Sequence, residues 1–295
     1  MILRSLSIAS IAIAFSSSVL AQPAKGPKLP EGAKATSDVA YGDHERQKYD
    51  VYVPKGDGPF SLVVWVHGGG WSAGSKDGAG PGLFLLDHGY AVASINYRYS
   101  TQAVFPAQIQ DCKAAILHLK ANAKKYGVDP KKVGAWGASA GGHLVALLGT
   151  ANDVAEWEPN GKASAPGSGV QAVIDFFGPT DLFALSGPAD GAGDKADGLL
   201  GKLVGGQLSK NKAKAEKANP IRYLDKGDAP FLIVHGDRDP LVPLSQSELL
   251  AAALDKAEVA HELIVVKGGG HGGAGFSSEA NRKKYVAFFD KHLKK

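Results

Sequence analysis

Two stretches of this chain place a serine between glycines at a spacing that can do chemistry. One is Gly137-Ala138-Ser139-Ala140-Gly141 and the other is Gly70-Trp71-Ser72-Ala73-Gly74. A serine in a G-x-S-x-G frame becomes a nucleophile when a buried strand delivers it to a sharp turn and a helix carries the chain away. The turn then points the hydroxyl clear of both elements. Context separates the two candidates. Lys132 to Ala138 reads as a buried strand, and Ala140 to Leu148 as an Ala/Leu-rich helix. Ser72 also follows an apolar strand, but Gly74-Ser75-Lys76-Asp77-Gly78-Ala79-Gly80 after it is a poor helix start. Ser139 is therefore the expected nucleophile and Ser72 a loop residue.

A serine hydroxyl needs a base to take its proton, usually a histidine oriented by a buried carboxylate. In open α/β sheets reacting groups gather at the carboxyl ends of the strands. Asp237 and Asp239 follow the apolar run Pro230 to His235, and His271 follows Glu262 to Val266. The order Ser139, Asp, His271 is the one expected of an α/β-hydrolase. Asp239 is favoured as the acid, because Pro240 and Val242-Pro243 fix the loop around it. Asp237 is expected to cap the turn instead. Oxyanion donors are expected from the N–H of Ala140 and from the Gly68-Gly69-Gly70 loop, where the missing Cβ lets backbone approach substrate. Spacing does not favour a metal site built from His235, Asp237, Asp239 and His271, and no cofactor is expected.

The elements that must position these residues alternate along the chain. Lys48 to Val53 has the period-two pattern of a strand with one solvated face. Ser61 to Val66 is continuously apolar and β-branched, as in a buried parallel sheet, and Tyr90 to Tyr97 reads as the next buried strand. Leu83 to His88 reads as a short helix. Pro106 opens a longer one, whose apolar stripe includes Cys112 and which stops at Gly127. Val170 to Phe177 is a further strand. Leu182 to Ala218 reads as a cap-like insertion over the sheet edge, ending in a lysine-rich polar helix. Leu244 to Lys256 and Glu279 to Leu293 complete the helices. This alternation predicts a doubly wound, mostly parallel sheet with helices on both faces and a small insertion after the sixth strand, in one domain spanning 41–295.

The ends and the composition set further limits. Arg4, the apolar run Ser5 to Val19 and Val19-Leu20-Ala21 read as a signal peptide with cleavage after Ala21, so the protein is expected to be secreted or periplasmic. Residues 22–40 read as a flexible leader. Of 295 residues, 44% are hydrophobic and 21% charged, and the net charge is +4. There is no basic stripe with interleaved aromatics, so nucleic acid is not an expected partner. Stable membrane insertion after signal cleavage is not expected either. Cys112 is the only cysteine, which rules out an intramolecular disulfide.

Together, His67-Gly68-Gly69-Gly70-Trp71, Gly137 to Gly142, His235-Gly236-Asp237-Arg238-Asp239 and His271-Gly272 resemble the hormone-sensitive-lipase-like branch of α/β-hydrolases. They are most similar to its bacterial feruloyl-esterase-like carboxylesterases. The resemblance covers roughly residues 40 to 293. It implies a serine carboxylesterase acting through an acyl-enzyme on Ser139, with His271 as general base and Asp239 as its orienting acid. It implies an oxyanion hole of Gly69, Gly70 and Ala140. Short-chain or aromatic esters, free or polysaccharide-linked, are the implied substrates. An aryl formamidase or peptidase-like amide hydrolase with the same triad is the alternative. A non-catalytic binding protein on the same scaffold would be expected to lack a triad member or an oxyanion glycine, and none is missing. The chain departs from the larger lipases of that branch in lacking a long N-terminal helical cap, which argues against long-chain lipid. Trp71, Phe176 and Phe177 are candidates for a flat apolar wall of the acyl pocket, though Trp71 can equally just pack. His67 is expected to brace the glycine loop, His143 to face outward from the helix after Ser139 in a structural role, and Asp111 to lie on a helix surface or in a salt bridge.

Overall fold

The computed structural model describes residues 27–152, 154–159, 167–187 and 193–294. The expected signal peptide lies outside them. Eight strands build one sheet: β1 Lys34–Ala40, β2 Lys48–Val53, β3 Phe60–Val66, β4 Tyr90–Ile95, β5 Val128–Ala138, β6 Ala172–Phe176, β7 Phe231–Gly236 and β8 His261–Val266. Their spatial order is β1-β2-β4-β3-β5-β6-β7-β8. The β1/β2 and β2/β4 pairs are antiparallel and every pair from β4 to β8 is parallel.

Alternation along the strands sorts side chains to two cores. Leu62, Val64 and Val66 of β3 join one hydrophobic cluster, and Val63 and Trp65 join the other. The first cluster is covered by α1 Ala107–Ala121, α2 Ala123–Tyr126, α3 Ala140–Thr150 and, further along the chain, α7 Ser245–Lys256. Between α3 and α7 come the short helices α4 Leu182–Ser186, α5 Leu199–Val204 and α6 Lys212–Lys217. The second cluster is covered by the 3-10 segment Asp77–His88 and by α8 Glu279–Leu293, which contributes Tyr285, Phe289 and Leu293. The doubly wound sheet read from the sequence is thus the observed architecture, with α4 to α6 following the sixth strand.

Two local expectations differ. The leader expected over 22–40 does not hold to its end, because Lys34–Ala40 pairs with β2 as an edge strand. Six of its seven residues are exposed, so it carries no apolar alternation to announce it. The segment before Leu83 is helical as well, but in 3-10 form from Asp77, where Gly78, Gly80, Pro81 and Gly82 disfavour a regular α-helix.

The strand order reverses between β3 and β5, since β3 connects outward to β4 on one side and the chain later returns to its other side. The loop after β3 and the turn after β5 therefore open side by side at the carboxyl edge, where ligands bind in such sheets.

Candidate functional site

Ser139 occupies the corner between β5 and α3 with φ +56° and ψ −122°, outside the usual regions for a side-chain-bearing residue. The corner is pinned on both sides. Ser139 N–H donates to the Phe176 carbonyl at 2.8 Å, and the Ser139 carbonyl accepts from His143 N–H at 3.0 Å. A Cβ on Gly141 would overlap the Val66 carbonyl, and one on Gly137 would overlap the Gly141 carbonyl. The glycines flanking the serine are there because backbone passes against backbone.

The loop after β3 meets this corner. Gly69 and Gly70 have φ +108° and +57°. Among the described residues, no intramolecular acceptor takes the N–H of Gly69, Gly70 or Ala140. His67 anchors the start of the loop. Its Nδ1–H donates to the Gly68 carbonyl at 2.7 Å, and its Nε2 accepts from Arg46 Nη2 at 3.2 Å. The ring stacks on Tyr97 with centroids 4.4 Å apart. Burial pushes the His67 pKa down to about 4, so the ring is neutral at physiological pH. The expected bracing role fits this geometry. Ser72 lies in the following turn and donates its N–H to the Gly69 carbonyl at 3.1 Å.

At the other side of the edge, the turn after β7 presents Asp239, whose side chain is fully buried. Its Oδ1 accepts from the N–H groups of Leu241 at 2.8 Å and Val242 at 3.0 Å. Its Oδ2 lies 2.7 Å from His271 Nδ1. A carboxylate so held fixes the ring and the tautomer, leaving Nε2 as the free nitrogen. The Phe177 ring packs 4.4 Å from the imidazole. Asp237 points elsewhere: its Oδ1 accepts from Gly268 N–H at 2.7 Å and ties the turn to the end of β8. A cluster joining Asp237 to the other three residues is not formed, and no group of three metal-ligating side chains is found among the described residues.

Ser139, His271, Gly69, Gly70 and Ala140 line one cavity of about 600 Å³. Trp71 and Phe177 form part of its wall. The insertion closes one side with Leu185, Leu199 and Leu200, and Leu241 and Val242 form another. Phe176 is not in this wall. It lies in the core on the other face of the sheet, with its ring 5.2 Å from Trp136 and 5.3 Å from Tyr285.

Four residues were not singled out as supports of the site by spacing or were placed differently. Arg46, from the connection between β1 and β2, holds His67 and also donates through Nε to the Tyr97 carbonyl at 2.8 Å. His235 is buried behind Asp239. Its Nε2–H donates to the Val242 carbonyl at 2.8 Å and lies 3.4 Å from Asp239 Oδ2, while Nδ1 accepts from the Ser247 hydroxyl at 2.7 Å. Burial lowers its pKa. His143 does not face outward; it is fully buried. Asp111 is buried too, in a salt bridge at 2.7 Å from Arg98 Nη2, so of its two expected settings only the ion pair holds.

A family model described as BD-FAE matches residues 49–254. The chain is 32% identical to Esterase LipC of Mycobacterium tuberculosis over 245 residues, which are 79% of this chain and 59% of that protein. It is 33% identical to Esterase LipQ of the same organism over 238 residues, 77% of this chain and 54% of that one. It thus spans somewhat more than half the length of these relatives. A truncated form of a carbohydrate esterase from gut microbiota superposes with a TM-score of 0.83 at 34% identity, covering 92% of this chain and 100% of that chain. The bifunctional GH43-CE protein of Bacteroides eggerthii gives a TM-score of 0.79 at 37% identity, over 87% of this chain and 38% of that one.

Proposed function

Because the chain belongs to the BD-FAE family of α/β-hydrolases, we propose that it is a serine carboxylesterase for short-chain or aromatic esters, including esters carried on polysaccharide. Support comes above all from one arrangement: His271 is held by Asp239 at 2.7 Å and opens on the same cavity as Ser139 at its positive-φ corner.

In this reading the Ser139 hydroxyl attacks the ester carbonyl carbon while His271 Nε2 takes its proton. Asp239 keeps Nδ1–H directed at itself and stabilises the imidazolium that forms. The N–H groups of Gly69, Gly70 and Ala140 receive the negative charge that develops on the carbonyl oxygen. The imidazolium returns its proton to the departing alcohol, leaving an acyl group on Ser139. Water enters, gives a proton to His271 and attacks the acyl carbon, which releases the acid and restores the serine. The apolar wall of Trp71, Phe177 and Leu199 suits a short or flat acyl group. Export by a signal peptide over 1–21 is part of the same reading, resting on the sequence of that segment. No helix among the described residues is long and apolar enough to cross a membrane.

Labelling with a fluorophosphonate tests this directly. The purified protein should be labelled at Ser139 and lose turnover of nitrophenyl acetate in step. Ser139→Ala should abolish both, whereas Ser72→Ala should keep most of each. Labelling at Ser72, or turnover that survives Ser139→Ala, would overturn the assignment.

A further inference from the structure

His143 stands one helical turn after Ser139 and is fully buried. Trp71 Nε1–H donates to its Nδ1 at 3.2 Å, and its Nε2 lies 2.6 Å from the Ala218 carbonyl oxygen. An indole nitrogen can only donate and a carbonyl can only accept, so the ring must be neutral with its hydrogen on Nε2. The two rings meet edge to face with centroids 5.3 Å apart. Burial pushes the His143 pKa down to about 4, which keeps Nδ1 available as an acceptor at neutral pH.

The bonds join three parts of the molecule. Trp71 ends the loop that carries Gly69 and Gly70. His143 rides on the helix that starts at Ser139. Ala218 closes the insertion. Trp71 itself holds φ +55° and is 2% exposed. His143 is not part of the cavity wall. Whatever it does to a bound ester must therefore pass through the residues it holds. The glycine loop needs such support, because glycines at positive φ have a wide choice of conformation once a contact is lost.

We propose that His143 is a positioning residue for the reaction. By accepting the Trp71 indole hydrogen and anchoring to Ala218, it sets the Gly69 and Gly70 amides at a fixed place relative to Ser139. This rests on the reading of Ser139 as nucleophile and of those amides as oxyanion donors. Its effect belongs to the step in which charge develops, so kcat should carry it and KM should not.

The test compares His143→Leu, His143→Asn and Trp71→Phe on nitrophenyl acetate, with melting temperature and fluorophosphonate labelling measured on each. His143→Leu removes both hydrogen bonds and should lower kcat about tenfold with KM within about twofold. His143→Asn places a carbonyl oxygen near the lost Nδ1 and should return kcat to within about threefold of the parent. Trp71→Phe keeps a ring but no donor and should lower kcat like His143→Leu, and combining the two should cost no more than either alone. Parent kcat in His143→Leu, a loss confined to KM, or equal loss in the Leu and Asn variants overturns the proposal. If His143→Leu does not fold, Trp71→Phe and His143→Asn decide: the proposal requires loss in the first and recovery in the second, and the reverse pattern overturns it. Fluorophosphonate labelling separates the two levels. Parent protein unlabelled at Ser139 would defeat the nucleophile reading, whereas labelling intact beside an unimpaired His143→Leu would defeat only the positioning role.

Discussion

Asp237 and Asp239 are two residues apart and chemically identical, yet their surroundings give them different work. Asp239 has one oxygen on two backbone N–H groups and the other on His271. Asp237 has an oxygen on Gly268 N–H. Asp239→Asn puts an amide where the imidazole N–H needs an acceptor, and should lower kcat/KM by on the order of 10⁴. Asp237→Asn keeps a carbonyl oxygen for Gly268 and should lose less than about tenfold. Steady-state rates on nitrophenyl acetate check both, and comparable losses would defeat the distinction. Residue type and spacing made it legible that Ser139, Asp239 and His271 gather at one edge of the sheet, because each follows a strand that ends there. Arg46, His143 and His235 were not legible as supports. Their partners lie across the fold, as with Arg46 on His67 and His143 on Ala218, and a lone histidine or arginine has no spacing to mark it.

Among the elements, strands buried on both faces were the most readable and the edges the least. β3 and β4 are mostly apolar and buried along nearly their whole length, whereas β1 is solvated on both sides and reads as leader. Phe176 and Phe177 show the limit of reading a wall from neighbours in sequence. Phe177 turns to φ +44° and reaches the cavity, while Phe176 stays in the core behind the sheet. Helices α4 to α6 fall in the segment read as an insertion, but the packing of α5 on the glycine loop was not legible. Leu199 of α5 is 52% exposed, yet its side chain lies so close to Gly70 that a Cβ there would meet Leu199 Cδ1 at 2.8 Å. A pocket bounded this way should favour acetyl to butyryl or aromatic esters over chains of ten carbons or more. Leu199→Ala should raise kcat/KM for hexanoyl and octanoyl esters relative to acetyl, by no more than about fourfold for each methylene newly buried. A nitrophenyl-ester series below the micelle threshold measures it. A parent maximum at decanoyl, or an unchanged profile in Leu199→Ala, would contradict it.

Across the whole molecule, buried ionisable groups pull stability in opposite directions with pH. His67 and His143 are pushed down to about 4 by burial. The unfolded chain takes up their protons first as pH falls below about 6.5, so the stability they allow is full above that pH and is lost between about 6.5 and 4. Asp175 runs the other way. Its carboxyl, buried with Oδ1 2.9 Å from Gly178 N, is pushed up to about 7 by burial. The folded chain holds that proton more tightly than the unfolded one, so Asp175 costs stability progressively from about pH 4 to 7. Asp175→Asn keeps an acceptor for Gly178 and removes the buried charge. It should stabilise the protein more at pH 8 than at pH 5, by a difference on the order of a few kcal/mol, read from denaturant melts at the two pH values. A gain equal at both pH values would show that ionisation of Asp175 is not the cause.

The sheet order has a temporal consequence. Ser139 stands at the end of β5 in the middle of the sheet, while His271 follows β8 at its far edge. Between them β6 and β7 must be laid down, since β8 can dock only on β7. During synthesis Ser139 and its glycine loop are therefore made well before His271, the base in the proposed reading. On the proposed reading, an unfinished chain carries the nucleophile without its base. Asp239 already stands in the turn after β7, and the triad is complete only when β8 seats beside β7 and His271, which follows it, reaches Asp239.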